Sequence, residues 1–475
     1  MAEKLEFDVV VLGGGPGGYT AAFRAADLGL SVCLVEQHRA LGGVCLQVGC
    51  IPSKTLLHCA EVAEKAEEAA EYGIDFPPFE LDLNTLRNKK EQIVKQLAEG
   101  LDRLCKARKI RRVTGRGVFQ DESTLQVEGE KEDIEISFRD AIIATGSRPA
   151  TLPESPEDAR IWDSTAALAL PFVPQRLLIV GGGIIGLEMA QIFRFLGSKI
   201  TIVEMQDQLL PPADVDLVQP LARKFKDRYR ILTGSRLNRI EPRDNGLRVS
   251  FGGQEKEEKE EFEAVLVAIG RRPNAEDLGL ENLGLSLDDQ GCIPVDERLR
   301  TEIPHIYAIG DVTGEPMLAH RASHQGKVAA EVIAGQKSAF TPMAIPAVVY
   351  TYPEIAWMGI TEKEAKEQGL EVLKGKFPWG ASGRALSSGS ALGVSKALFD
   401  KATGRIIGAG ICGSNAGELI HEAVLAMEMG ADAEDIARTV HAHPTLSETF
   451  ALAAEVVDGS ITDIMPPGKK KEDKS

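Results

Sequence analysis

The chain has 475 residues, enough for two to four domains that each bury a core of their own. An apolar fraction of 43% with 26% charged residues is ordinary for a soluble globular protein, and no apolar run is long enough to span a bilayer. Acidic residues outnumber basic ones by 71 to 54, and the net charge of −17 argues against non-specific nucleic-acid binding and against anionic membrane surfaces, while allowing a basic protein partner.

Residues 7–12, Phe-Asp-Val-Val-Val-Leu, predict a buried strand so near the start that no secretory leader is expected. The strand runs into Gly13-Gly14-Gly15-Pro16-Gly17-Gly18, and a helix is predicted over 19–28. A second apolar strand, 32–36, ends in Glu36. Then comes Gly42-Gly43-Val44-Cys45-Leu46-Gln47-Val48-Gly49-Cys50-Ile51-Pro52-Ser53-Lys54. In a regular helix Cys45 and Cys50 would stand about 7.5 Å apart along the axis and on different sides, so a bridge between them requires a break. Gly49 permits that break, and Pro52 suits the first turn of a new helix. The plainer reading is two unpaired core cysteines.

The seven cysteines show no disulfide framework beyond this pair, and their odd number suits a reducing cytosol. No further pair has ligand spacing nearby, so no metal site is expected.

The opening unit recurs. Residues 176–180 form an apolar strand into Gly181-Gly182-Gly183-Ile184-Ile185-Gly186, a helix follows over 187–196, and the strand 200–204 ends in Glu204. Both acids lie 18 residues past the last fingerprint glycine, and the fingerprint glycines and the acids are all displaced by 168 positions. One glycine motif is weak evidence, but the same turn, helix and acid twice at one offset predicts two dinucleotide sites. The glycines allow a tight turn and close approach of a pyrophosphate, and the helix N-terminus offers unpaired N–H groups to it. Each acid is placed to accept from ribose hydroxyls.

A second repeat supports the first. Ala144-Thr145-Gly146-Ser147-Arg148-Pro149 follows the strand 141–143, and Ala268-Ile269-Gly270-Arg271-Arg272-Pro273 follows 264–267. The charge run 255–263 reads as a solvated β-hairpin. The strand ending Ile309-Gly310-Asp311 comes after the second copy, and from about residue 346 the pattern becomes α+β, with a helix over 416–429. His441-Ala442-His443-Pro444-Thr445-Leu446-Ser447-Glu448 lies beyond that helix, and a lysine-rich tail, 468–475, reads as disordered.

A dithiol beside a dinucleotide turn resembles the flavoprotein disulfide reductases. The cysteine block and the C-terminal octapeptide are most similar to those of dihydrolipoyl dehydrogenases, with Gln47 where that family usually has Asn. The resemblance covers nearly the whole chain. It implies an α/β fold with two Rossmann-like dinucleotide-binding domains, for FAD and NAD, and a C-terminal α+β dimerisation domain. The expected boundaries are 1–149 and 277–345 for a discontinuous FAD domain, 150–276 for the NAD domain and 346–475 for the interface domain.

By the same resemblance Cys45 is the outer thiol that exchanges with substrate and Cys50 the inner thiolate beside the flavin. Lys54 would pair with Glu188 near flavin N5; plainer readings are a surface lysine and an acid complementing a helix dipole. His443 would be the base and Glu448 its orienter, acting on the thiols of the other subunit, with His441 as runner-up, packing or capping. The flavin set becomes Gly13, Gly15, Gly18, Glu36, Lys54, Gly117, Thr145, Gly146, Ser147, Asp311 and Ala319. The NAD set becomes Gly181, Gly183, Ile184, Ile185, Gly186, Glu204, Leu237 and Gly270. His320 and His324 are expected to support the flavin region structurally.

Glu204 favours NAD, because Met205-Gln206-Asp207 supplies no arginine for a 2′-phosphate as in glutathione reductase. No cysteine follows Cys412, unlike mercuric reductases, and the soluble transhydrogenases lack the cysteine pair. The resemblance thus implies a cytoplasmic homodimer that oxidises protein-bound dihydrolipoamide in 2-oxoacid dehydrogenase complexes, and in the glycine cleavage system. Its partners would be the lipoyl and subunit-binding domains of an acyltransferase, without nucleic acid or membrane insertion. A contrasting reading makes the chain chiefly a docking subunit of such a complex, and the intact redox residues weigh against it.

Overall fold

The computed structural model describes residues 3–129, 133–253 and 257–465. The lysine-rich tail and the start of the charge run lie outside the described residues. At the centre of the first sheet is Glu3–Leu12, whose Val9, Val10 and Val11 are fully buried, as a strand covered on both faces requires. It pairs in parallel with Val32–Glu36 on one side and Ile134–Ile143 on the other. Arg111–Asp121 extends the sheet beyond Val32–Glu36, and Ile306–Ala308 extends it beyond Ile134–Ile143. Thr124–Gly129 joins Arg111–Asp121 to Ile134–Ile143 as an antiparallel meander.

The second sheet repeats this plan. Arg176–Val180 is central, with Lys199–Val203 and Arg230–Leu232 on one side and Ala264–Val267 and Ile161–Trp162 on the other, all parallel. Its antiparallel meander is a separate sheet of Arg236–Arg243, Gly246–Gly252 and Glu257–Phe262. The charge run therefore supplies one strand of a hairpin and pairs with the apolar 246–252, while its alternate side chains face water. The two repeated turns meet: Ser147–Pro149 pairs antiparallel with Arg271–Pro273, which couples the ends of the two nucleotide-binding halves.

The third body is a five-stranded antiparallel sheet, ordered Ala347–Val349, Glu354–Gly359, Ile406–Gly413, Val394–Asp400, Val372–Pro378. Ala416–Glu428 and Glu448–Asp458 pack on it around Trp379, Phe399 and Phe450. Buried ion pairs tie the bodies together. The Lys396 ammonium, with a side chain only 3% exposed, sits among Asp214, Asp216 and Glu362. A burial of this kind is tolerated only because the charge is matched.

Both glycine-turn helices begin three residues earlier than the periodicity predicts. They run Pro16–Asp27 and Ile184–Phe195, with Gly15 and Gly183 as N-caps. The third glycines thus lie inside the first helical turn. There a Cβ on Gly18 would stand 1.8 Å from the Gly13 carbonyl oxygen, and one on Gly186 2.0 Å from that of Gly181. Close helix–strand packing is the reason for glycine at both.

Candidate active site

The redox segment is docked onto the first glycine turn by its backbone. Gly42 donates to the Gly14 carbonyl at 2.8 Å, and a Cβ on Gly43 would meet Gly15 Cα at 2.7 Å. Gly42 and Gly43 both have positive φ, +112° and +56°, so side chains are disfavoured here on two grounds. A short helix, Gly43–Val48, carries Cys45; Gly49 breaks it; Cys50 opens the long helix Cys50–Glu68. Gln47 donates to the Leu41 carbonyl at 2.6 Å and so braces the loop that precedes the pair.

Across the break the two thiols hydrogen-bond to one another. That bond holds the Cys50 thiol down, to about 7, with the Lys54 ammonium assisting against burial and Glu188. The same bond and burial push Cys45 up. Within the pair the negative charge is therefore favoured on Cys50 over Cys45. Tyr19 lies close enough to both thiols to feel their charge.

Lys54, one turn along, places Nζ 2.9 and 2.8 Å from the two oxygens of Glu188, which is nearly fully buried. Tyr350 stacks over the ammonium, its ring centroid 4.5 Å away, and donates its backbone N–H to Glu188 at 3.1 Å.

In the two dinucleotide turns the acids have identical bonding. Glu36 accepts from Gly14 N–H at 2.7 Å and His38 N–H at 2.9 Å; Glu204 accepts from Gly182 N–H and Gln206 N–H, both at 2.7 Å. Each carboxylate thus fixes its own glycine turn and keeps lone pairs for a ribose. No atom lies within 4 Å of where a Cβ of Gly183 would be, and at Gly15 only Gly43 Cα does, at 3.9 Å. These open positions at helix N-termini suit a pyrophosphate, so the residues fit FAD at the first turn and NAD at the second.

Asp311 accepts from Ser147 Oγ at 2.5 Å, and Arg271 donates to both Ser147 Oγ and its carbonyl at 2.7 Å. Arg271 stands in the Gly-Arg-Arg-Pro turn, and the pairing of the two turns brings it to this cluster. Its charge reaches Cys50 and Asp311. Thr145 Oγ1 bonds to the Asn274 carbonyl, and Asn274 returns a bond to Thr145. Gly117 is buried against Leu12, Gly146 and Gly270 have positive φ at the paired turns, Ala319 opens the helix Ala319–Ile333, and Leu237 lies in the strand Arg236–Arg243. His320 bonds to the Pro346 carbonyl at 2.8 Å.

His443 is paired with Glu448. Its Nδ1 meets Glu448 Oε1 at 2.9 Å, and the other oxygen of Glu448 accepts from Thr445 N–H at 2.6 Å. The His443 side chain is 80% exposed, so it faces outward from its own chain.

A dithiol whose negative charge is favoured on one sulfur, beside a lysine–glutamate pair and paired dinucleotide folds, defines a nucleotide-dependent disulfide oxidoreductase. Two family profiles agree: one described as pyridine nucleotide-disulphide oxidoreductase matches residues 7–326, and that family's dimerisation domain matches 345–454. The dihydrolipoyl dehydrogenases of Vibrio parahaemolyticus and Vibrio cholerae are each 51% identical, over 99% of both chains and 100% of both chains respectively. Among solved structures, LpdA of Mycobacterium tuberculosis superposes with a TM-score of 0.87 at 26% identity, covering 95% of this chain and 99% of that one. The HOCl-induced flavoprotein disulfide reductase RclA of Escherichia coli gives 0.82 at 29% identity, covering 93% and 98%. The chain belongs to the pyridine nucleotide-disulphide oxidoreductase family. Among the described residues no helix is long and apolar enough to cross a membrane.

Proposed function

We propose that the chain is an NAD-dependent dihydrolipoyl dehydrogenase that reoxidises protein-bound dihydrolipoamide. The observation that carries this reading is the joint presence of the Cys45–Cys50 pair and the His443–Glu448 dyad in a chain half-identical, end to end, to enzymes of that name. When bound, FAD takes the electron pair from the dithiol and NAD+ receives it as hydride.

The chain's own residues do the following. With Cys45 and Cys50 oxidised, a thiolate of the substrate attacks Cys45, forming a mixed disulfide and releasing Cys50 as thiolate. His443 removes the proton from the second substrate thiol, which attacks the sulfur bonded to Cys45, expels Cys45 and closes the cyclic disulfide. Glu448, bonded to Nδ1, leaves Nε2 free as the base and stabilises the imidazolium formed. Cys50, its charge favoured by Cys45 and Lys54, would be the thiolate that offers the electron pair to a bound flavin. Glu188 in turn keeps Lys54 in place. The first turn, Glu36, Ser147 and Asp311 would hold FAD, and Gly181, Gly183, Gly186 and Glu204 would hold NAD.

The exposure of His443 supports a homodimer in which the base reaches the thiols of the other subunit. The charge of −17 suits a basic subunit-binding domain on an acyltransferase core, and cysteines used for redox rather than as structural bridges suit the cytoplasm. Steady-state turnover with dihydrolipoamide against glutathione, each with NAD and NADP in parallel, tests the reading. Activity confined to dihydrolipoamide with NAD is expected; preference for glutathione or NADP contradicts it.

A further inference from the structure

His441 lies two residues before the proposed base and is bonded quite differently from it. Its side chain is 10% exposed. Nε2 meets Glu422 Oε1 at 2.6 Å, and Nδ1 meets the Thr439 carbonyl at 2.8 Å. Both partners can only accept: one is a carboxylate and the other a backbone carbonyl. A neutral imidazole has one N–H and one bare nitrogen, so it can satisfy only one of them. Both contacts are hydrogen bonds only when both ring nitrogens carry protons.

The placement of this ring matters because residues 439–447 have no helix or strand to hold them. Downstream of His443 the segment is pinned by Thr445, which bonds to the Ala442 carbonyl and, through its N–H, to Glu448. Upstream, the described side-chain anchor is His441 on Glu422, a residue of the helix Ala416–Glu428. His443 hangs between the two anchors.

We propose that His441 is a fixed imidazolium that positions His443, acting through Glu422 rather than on the substrate. It is a positioning residue, and the inference rests on the reading of His443 as the base. Charged groups facing His441 are Glu422 from its supporting helix and Glu448 and Glu455 from the helix Glu448–Asp458, all acidic. Burial disfavours the charged ring, but the Glu422 and Thr439 bonds and the charges of Glu422 and Glu448 outweigh it, so the His441 pKa is raised. The clamp therefore persists to higher pH than a free imidazole would keep its second proton, and opens as pH rises through that raised value.

The test uses the flavin-loaded enzyme. Glu422→Ala and His441→Phe should each lower dihydrolipoamide turnover about tenfold to a hundredfold, the range for a displaced catalytic group. Reduction of an artificial quinone by NADH, which needs no thiol base, should stay within about twofold. The double variant should be no worse than either single one. Glu422→Gln can donate to a neutral ring, so it should recover most of the lost turnover and remove the alkaline fall that His441 contributes in the parent enzyme. Unchanged turnover and pH profile in Glu422→Ala overturn the proposal. Nitrogen NMR of histidine-labelled parent enzyme gives a readout independent of activity. A doubly protonated His441 at neutral pH is expected, and a neutral one overturns the clamp even if the substrate assignment proves wrong.

Discussion

The Lys54 ammonium lies within 2.9 Å of both carboxylate oxygens of Glu188, and so ties the helix that begins at Cys50 to the helix that begins beside the second glycine turn. The bridge spans 134 residues and joins the proposed flavin side of the site to the proposed nicotinamide side.

One consequence concerns Cys50. Lys54 is among the groups that lower its pKa to about 7, so Lys54→Met should shift formation of the thiolate to higher pH, by about one unit. In two-electron-reduced enzyme the long-wavelength charge-transfer band from thiolate to oxidised flavin reports this directly. Cys45→Ser should retain the band and Cys50→Ser should lose it; the opposite pattern would reverse the assignment of the two thiols.

Glu204 predicts a preference for NAD over NADP of at least about tenfold, since a 2′-phosphate would meet a buried like charge. Because the same carboxylate fixes Gly182 and Gln206, Glu204→Ala should narrow the preference and also raise KM for NAD. Initial rates across both cofactors measure the two effects separately.

The glycine clashes separate the two sites. Gly18→Ala drives a methyl into the Gly13 carbonyl and should yield protein without bound flavin. Gly186→Ala does the same to Gly181 and should yield a yellow protein that fails to reduce NAD. Visible spectra and NADH formation distinguish the variants, and a flavin-replete Gly18→Ala would contradict the placement of FAD at the first turn.

Glu354 gives a stability prediction with a defined sign. Burial raises its pKa to about 7, with Glu61 and Glu418 adding to the effect against a bond from Gly417 N–H. A carboxyl whose folded pKa lies above its unfolded one favours the fold when protonated, and that contribution is lost as pH rises from about 4.5 to about 7. Glu354→Gln keeps an acceptor for Gly417 and removes the charge. It should stabilise the protein by of order 1–3 kcal/mol at pH 8 and by little at pH 4, read from denaturant midpoints at the two values.

Much of this site was legible in the sequence because it is repeated. The common offset of Glu36 and Glu204 from their glycines exposed the two nucleotide folds, and the break between Cys45 and Cys50 followed from helix geometry with Gly49 in place. The helices start three residues before the periodicity predicts, because a glycine-rich run reads as turn whereas packing against the strand requires Gly18 and Gly186 inside the helix. Arg271 carries no local signal, because its bonds to Ser147 depend on the pairing of Ser147–Pro149 with Arg271–Pro273, segments 124 residues apart. Lys396 had no local signal at all. Its acids lie 182, 180 and 34 residues away, and only the assembled fold brings them together.

Mixing two inactive variants tests most directly the proposal that thiols and base come from different subunits. Cys45→Ser/Cys50→Ser and His443→Ala should each be nearly inactive toward dihydrolipoamide, loss of a general base alone costing about 10²–10⁴ in rate. In a heterodimer of the two, one site has wild-type thiols and a wild-type base, and the other has neither. Activity should therefore return as subunits exchange, toward half of the wild-type rate per heterodimer. If exchange is shown by mass and no activity returns, the shared site is contradicted.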